Sequence, residues 1–361
     1  MAIDNDQLLD LIATTLKDLP KGQFEVAWDS QNFEFCQMYQ KHRRKVDGGT
    51  SIQRNVILNE QGAARYRKLF DTDEPTVDNV QYQIDVPWTQ VGTNYSWDVV
   101  EIMRNKNSAK GYIDLLEGRR TERLWGLAEL IEDRGWLAPA SSTDKTNPYG
   151  VPYYLNMLDA GSTTGGFAGQ TMRFQDATTT TTVAGIDGAV EAKWRNYADV
   201  YAKVDNALLR KMRKAFMLTR FRPPPGVKGP GNDMPGQIAK IYCDADRAVE
   251  FMDLADKRDD NNTPKDLAGK ALVDVEGATY FNRRPIVYIP QLDGVTYSPI
   301  YFVDWSKFQP IVQDGYWMVE SKPMTDRVQH TTITVFVDAA HNNLCTNRRT
   351  AGWVMHTAIP A

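Results

Sequence analysis

Residues Ser108–Leu137 read SAKGYIDLLEGRRTERLWGLAELIEDRGWL, and the spacing of apolar residues in this stretch sets the frame for the remaining chain. Ser108 is an N-cap candidate, and Ile113, Leu116, Leu124, Leu127 and Ile131 recur at intervals that place them in one narrow helical stripe, interrupted by Arg120. As one unbroken helix the segment is roughly 40 Å long at about 1.5 Å per residue, whereas a compact chain of this size has a radius of gyration near ~21 Å. It crosses most of such a body. Leu115 and Trp125 project away from the stripe, among Asp114, Glu122, Glu129 and Asp133, and point to a second contact surface, covered by another segment of the chain or by a neighbour. Gly111, Gly118 and Gly126 each cost about 1 kcal/mol against Ala, so packing must hold this helix.

The 361 residues, 42% of them hydrophobic, suffice for one large core or two ordinary ones. A formal charge of -4 and a pI near 5.7 exclude a protein built mainly to wrap a polyanion, so any contact with nucleic acid is expected to be weak. Three widely separated cysteines, Cys36, Cys243 and Cys345, fit a reducing compartment without disulfides. The N-terminal MAIDNDQLLDLIATTLKDLP lacks the basic region and long apolar core of a signal peptide, and no stretch approaches the roughly 20 apolar residues of a membrane span. A cytoplasmic site of synthesis and no membrane partner are the expectations.

In chain order, Asn5–Leu19 is an expected amphipathic helix with Leu8, Leu9, Ile12 and Leu16 on one side, ended by Pro20. Gly22–Gly49 mixes Phe24, Trp28, Phe33, Phe35 and Tyr39 with the basic run Lys41–Lys45, the composition of an arm lying on a surface. From Ser51 to Val100 the period becomes two. Val80, Tyr82, Ile84, Val86 and Trp88 alternate with polar residues, as do Tyr95, Trp97 and Val99, predicting extended strands with one apolar face. Between them, polar Asn59–Asn79 with Asp71, Asp73 and Glu74 reads as the tip of a projecting loop. A ribbon of this kind is marginal alone, so its aromatic face must lie on the body or on a neighbouring molecule.

After the long helix, prolines at 139, 148 and 152 dictate a stiff irregular loop, and Gly161–Thr182 is a low-complexity loop. Trp194–Phe221 is expected as a second helix with Tyr197, Tyr201, Val204, Leu208 and Met212 on one face, Asp199 and Asp205 early, basic residues late, and Pro223–Pro225 stopping it. A strand at Ile238–Cys243 and a helix capped by Asp244, carrying Val249, Met252 and Leu254, follow. The remainder is β-rich, at Pro285–Pro290, Ile300–Trp305, Pro310–Val319 and Val328–Asp338, and HNNLCTNRRTAGWVMHTA closes the chain as a turn and a last strand. Helices and strands mix without regular alternation, so the class is α+β.

No catalytic constellation emerges. His42, His330, His341 and His356 lack metal-ligand spacing, and no GxSxG elbow, GxGxxG fingerprint or Walker loop occurs. Gly165, Gly166 and Gly169 lead to Gln170 rather than to the Lys of a phosphate cradle, and Asp256–Asp266 lacks the glycine and terminal glutamate of an EF-hand. Catalytic, cofactor and metal sites are all expected to be absent. What the sequence carries is contact apparatus suited to a symmetric assembly.

The order of these parts, with PYGVPYYL (148–155), RRPIVYIPQLD (283–293), SPIYFVDWSKF (298–308) and TNRRTAGWVMHT (346–357), resembles the major capsid protein of tailed bacteriophages, the Hong Kong 97-type fold. The resemblance covers nearly the whole chain. It implies an N-terminal arm at 1–45, an extended loop at 46–100, a peripheral domain at 101–184 with its spine helix at 108–137, an axial domain at 185–320 and closing strands of the peripheral domain at 321–361. It also implies a non-enzymatic shell subunit that forms hexamers and pentamers, is assembled in the host cytoplasm and resides in the virion. The partners implied are further copies of itself, non-specifically contacted double-stranded DNA, and portal, scaffolding or cement proteins. Trp88 and Trp97 on the ribbon, with Leu115 and Trp125 on the helix, are the candidate intersubunit anchors. An encapsulin enclosing protein cargo shares the resemblance, and a cytoplasmic hydrolase with a dispersed site is the rival from another class.

Overall fold

A computed structural model describes residues 32–58, 66–69, 80–104, 109–159, 162, 164–174, 178–220, 238–259, 279–325 and 331–357. The expected N-terminal helix, the acidic loop tip, the proline run at 223–225 and most of Asp256–Asp266 lie outside them.

The first part of the chain gives helix α1 (Glu34–Lys41), strand β1 (Arg44–Val46), the ribbon β2 (Ser51–Ile57) with β3 (Gln81–Pro87), and the long strand β4 (Thr89–Asp98). Helix α2 (Val99–Arg104) and the long helix α3 (Ala109–Gly135) follow, then a one-turn helix α4 (Val151–Tyr154). Next come β5 (Gly166–Gly169), two small hairpins, β6 (Met172–Arg173) with β7 (Thr179–Thr180) and β8 (Thr182–Val183) with β9 (Ile186–Asp187), and strand β10 (Asn196–Tyr201). Helix α5 (Asn206–Leu218), β11 (Ala239–Cys243) and α6 (Ala245–Asp259) lead to β12 (Tyr280–Phe281), β13 (Arg284–Tyr288), β14 (Ile300–Asp304) and β15 (Phe308–Gln313). The chain ends with β16 (Val319–Glu320), β17 (Met324–Thr325), the 14-residue β18 (Thr332–Cys345), α7 (Arg348–Ala351) and β19 (Gly352–Thr357).

Two sheets organise these elements. In the seven-stranded sheet, ordered β12-β13-β11-β14-β19-β10-β5, consecutive side chains divide between two cores. Ile241, Phe302, Trp353 and Met355 meet α5 and α6 on one side, while Tyr242, Tyr301, Val303 and Val354 face the main core on the other. Both faces are buried, and this is why IYFVD and GWVMH are unbroken apolar runs rather than alternating ones. The second sheet is built on β18. Strand β4 pairs with it over ten residues, from Thr89↔His341 to Asp98↔Thr332, while β15, β16 and β17 pair with it too, and β1 adds in parallel to β15.

Helix α3 fulfils the expectation drawn from its spacing, with bounds two residues or less from the predicted ones, and lies against β4 and α1. Leu127 and Ile131 are buried, Leu124 is half-buried, and the interrupting Arg120 leaves the helix to pair with Glu320 at 2.6 Å. Phe35 of α1 sits fully buried among Trp136, Trp305 and Phe308, at ring separations of 5.3, 5.1 and 6.1 Å. A Cβ on Gly135 would come within 2.5 Å of that ring, so the end of α3 is shaped to admit it. The described part of the expected surface arm thus contributes to the core.

Several expectations are corrected. Trp194–Phe221 is not one helix: Asn196–Tyr201 is a buried strand and the helix begins at Asn206, where Asp205 caps it by accepting from Ala207 N and Leu208 N. Tyr197 and Tyr201 lie four apart, which mimics a helical face, but neighbouring residues are buried as well. On α6 the inward residues are Ala248, Phe251 and Ala255, and Val249 and Met252 face outward. Val151–Tyr154 of the expected irregular loop is helical, and part of the low-complexity stretch forms β5 at a sheet edge. HNNLC is not a turn but the end of β18. The ribbon consists of β2 and β3, whereas the stretch with Tyr95 and Trp97 pairs with β18. The ribbon's Ile84 and Val86 are completely buried, Asp85 N donates to Ala184 O, and the Tyr82 hydroxyl donates to Glu191, so its described part lies on its own body.

Candidate functional site

Among the described residues, no group of three or more His, Cys, Asp or Glu side chains is gathered as metal ligands would be. A cavity of about 140 Å³ opens beside Pro152, Leu155, Met157, Leu158, Met172 and Tyr301, with Asp159 and Arg173 as its charged lining. Ligand sites for small molecules commonly reach about 300 Å³ or more, with converging polar groups.

The perturbed ionisable groups are occupied in holding segments together. Glu132 on α3 is buried and accepts from Phe35 N (2.8 Å), Cys36 N (3.3 Å) and Trp136 Nε1 (2.9 Å), so it caps the start of α1 with a carboxylate from another helix. Burial pushes its pKa up to about 7 against the opposing hydrogen bonds. Beside it, Glu34 is paired with Lys240 at 2.8 Å and accepts from the Tyr242 hydroxyl. Burial also lowers His341 to about 4 and raises the Cys36 thiol to about 12, the nearby Glu132 adding to the latter. None of these groups faces a cleft with an activated partner.

The polar ties continue at the C-terminus. Asn342 Oδ1 accepts from Tyr149 N at 2.8 Å while its Nδ2 donates to Pro87 O at 2.7 Å. Asn343 donates to Tyr149 O and accepts from the Tyr39 hydroxyl. Arg348, fully buried, donates to Tyr154 O (2.8 Å), Trp194 O (2.7 Å), Gly169 O (3.0 Å) and Asn196 Oδ1 (3.0 Å). Burial lowers its pKa to about 10, which leaves it charged at neutral pH. The sequence reading missed these residues. The usable signal was a pair of asparagines inside an otherwise apolar run.

What the surface offers is apolar. Val100 and Met103 on α2, Trp125 and Leu130 on α3, Ile57 at the end of the ribbon, and Val319, Met324 and Phe336 on the β18 sheet are all exposed. Of the four candidate anchors, Trp125 is 40% exposed and edge-on to Phe33 at 6.4 Å. Trp88 is half-buried and its Nε1 donates to Gly49 O at 3.0 Å. Trp97 is half-buried and stacks on Tyr95 at 6.1 Å, next to Ile333 of β18. Leu115 lies on α3, and its side chain falls outside the described ones. Trp88 and Trp97 bracket β4, about 30 Å apart at ~3.4 Å per residue, and do not form one cluster.

No protein-family model and no curated protein sequence matches the chain. Solved structures do. The chain is similar to the cyanophage A-1(L) capsid asymmetric unit, with a TM-score of 0.59 and 15% identity over 96% of this chain and 98% of that one. It is similar to the capsid of Myoviridae phage XM1 (TM-score 0.53, 10% identity, 96% and 98% covered) and to the capsid of the native GTA particle (TM-score 0.53, 10% identity, 95% and 96% covered). The chain therefore has the α+β fold of phage capsid subunits, as the quoted sequence phrases led us to expect. At such identities the likeness establishes the fold.

Proposed function

We propose that this chain is the structural subunit of an icosahedral phage shell, a major capsid protein that forms hexamers and pentamers enclosing double-stranded DNA. The observation that carries the reading is the end-to-end likeness to the cyanophage capsid chain, which leaves 2% of that chain and 4% of this one unmatched. A match that runs over nearly the whole of both chains favours the shell role. The solved structures it resembles are capsids, and this favours a structural, non-enzymatic role.

In this reading residues 1–45 are the arm, 46–100 the extended loop, 101–184 the peripheral domain, 185–320 the axial domain and 321–361 the closing strands. The protein is assembled in the host cytoplasm and resides in the virion, with portal, scaffolding or cement proteins as further partners. Trp88, Trp97, Leu115 and Trp125 remain the proposed intersubunit anchors, and Trp125 has the strongest support because it stays 40% exposed in the single chain. The test is light scattering with electron microscopy on the expressed full chain, followed by nuclease treatment of the particles. Megadalton shells with nuclease-protected DNA are expected. Shells holding protein cargo would establish the encapsulin-type alternative, and a small soluble oligomer would overturn both.

A further inference from the structure

On a chain whose net charge is -4, one surface reverses the sign. Lys41 and His42 at the end of α1, Arg44 and Lys45 on β1, and Arg54 on β2 are exposed, and Arg43 is half-buried. Between β1 and β2 the chain turns through Gly48 and Gly49, both with left-handed φ (128° and 113°), a conformation that other residues adopt at a cost. Across this turn Arg54 feels the Arg44 charge: its pKa is lowered, by partial burial first and by Arg44 second. Of the carboxylates around these five Lys and Arg side chains, Asp47 follows β1 in sequence, Asp85 lies opposite Gln53 on the ribbon beside Arg54, and Asp314 follows β15. Lys45 pairs with Asp314 at 3.2 Å and Arg43 lies over the Trp317 ring at 5.9 Å. Lys41, Arg44 and Arg54 have no ion-pair partner among the described residues. Exposed cations without an ion-pair partner among the described residues leave their charge available to an anion that can span them.

The basic residues of α5 are a weaker candidate. Lys211 is tied to Asp199 at 3.0 Å and to Val200 O, and Arg213 lies over Phe281 at 5.9 Å. We propose that Lys41, Arg44 and Arg54, flanking the Gly48–Gly49 turn, form the surface that contacts the phosphate backbone of double-stranded DNA. This assignment rests on the shell reading above. Evenly spaced phosphates suit such a patch because recognition needs charge and no base sequence. The contact is weak per copy and becomes effective through repetition around a shell.

The probe is a short random-sequence duplex titrated with the full chain before assembly, from about 50 to about 200 mM salt, with particle formation followed on the same samples by light scattering. The triple variant Lys41→Gln/Arg44→Gln/Arg54→Gln should flatten the slope of log K against log salt by about 2.7, which is three contacts at ~0.9 each. The control Lys203→Gln/Arg210→Gln/Lys214→Gln, with the same charge change near α5, should leave the slope where it was. Particles that form with all three chains while the two variants behave alike would overturn the assignment and leave the shell reading standing. A patch variant that loses particles but keeps its DNA slope would make the patch a contact between copies, which also overturns it. A wild-type chain that forms no particles sinks the shell reading, and the assignment with it.

Discussion

Replacing Arg348 with methionine should destabilise the unassembled chain by about 3 kcal/mol, and the figure follows from who is left without a partner. The guanidinium serves Tyr154 O, Trp194 O, Gly169 O and Asn196 Oδ1, and the last also accepts from Asn156 N, so three buried carbonyls lose their charged donor. Each such loss costs about 1–3 kcal/mol, while releasing a desolvated cation returns part of the total, and the low end of the range is therefore the estimate. Methionine fills much of the same volume, which limits the cavity contribution. Arg348→Lys keeps the charge but replaces a planar fork by a point donor, so it should fall in between, near about 2 kcal/mol. A domain of ordinary stability has about 5–15 kcal/mol in all, so the loss is readable as a shift of the denaturation midpoint in urea at unchanged slope. A midpoint for Arg348→Met within about 1 kcal/mol of the wild type would refute the reasoning, since the desolvation of the guanidinium would then cancel its hydrogen bonds.

Two further outcomes follow from the same structure. Glu132, with a folded pKa raised from 4.5 to about 7, binds protons more readily folded than unfolded, so its contribution is fully present below the unfolded value and is lost as pH rises through the folded one. Thermal midpoints should accordingly show Glu132→Gln close to wild type near about pH 4, below the unfolded value, and more stable than it near about pH 8, and the reverse order would contradict the assignment of burial as the dominant cause. Trp125→Ala removes a residue that is 40% exposed and edge-on to Phe33 in the lone chain, so unfolding of the unassembled chain should change by about 1–2 kcal/mol, whereas assembly measured by light scattering should weaken by about 2 kcal/mol or more per contact, repeated over every copy. Equal effects on both would remove Trp125 from the anchors.

The parts of the fold legible in the sequence were those in which local pattern and tertiary environment agree. Ser108–Leu137 forms α3 because a stripe with Leu127 and Ile131 finds a core to meet, and Asp244 could be read as a cap because its side chain accepts from Arg247 N where a cap should. Trp194–Phe221 misled for a physical reason: a six-residue strand buried on both faces has no alternation to show, and the decisive mark was Asp205, the cap of a helix starting twelve residues later than expected. The Asn342–Asn343 pair reads as a turn because exposed asparagines favour turns, whereas here both amides are spent on the backbone of Tyr149 and Pro87. Which strand Trp97 would pair with could not be read at all, since Ile333 lies 236 positions away and no periodicity encodes a partner at that distance. The anchors were therefore chosen as large residues on apolar faces, a criterion that does not distinguish a ring covered by its own chain from one left for a neighbour.

The buried polar groups explain how so mixed a chain settles on one arrangement. Strand β18 is the strand on which the second sheet is built, and β19 lies between β14 and β10 in the seven-stranded one, so the residues from Thr332 to Thr357 enter both sheets. The short α7 between them carries Arg348, whose acceptors come from α4, β5, β10 and the turn before it. Apolar burial alone would tolerate a slip of these strands, but a slip of β18 by one residue would turn Asn342 and Asn343 away from Tyr149 and leave their amides unpaired in the core. Register in this fold is thus set by hydrogen-bonding side chains between Thr332 and Thr357, and neither sheet can close until these residues are in place.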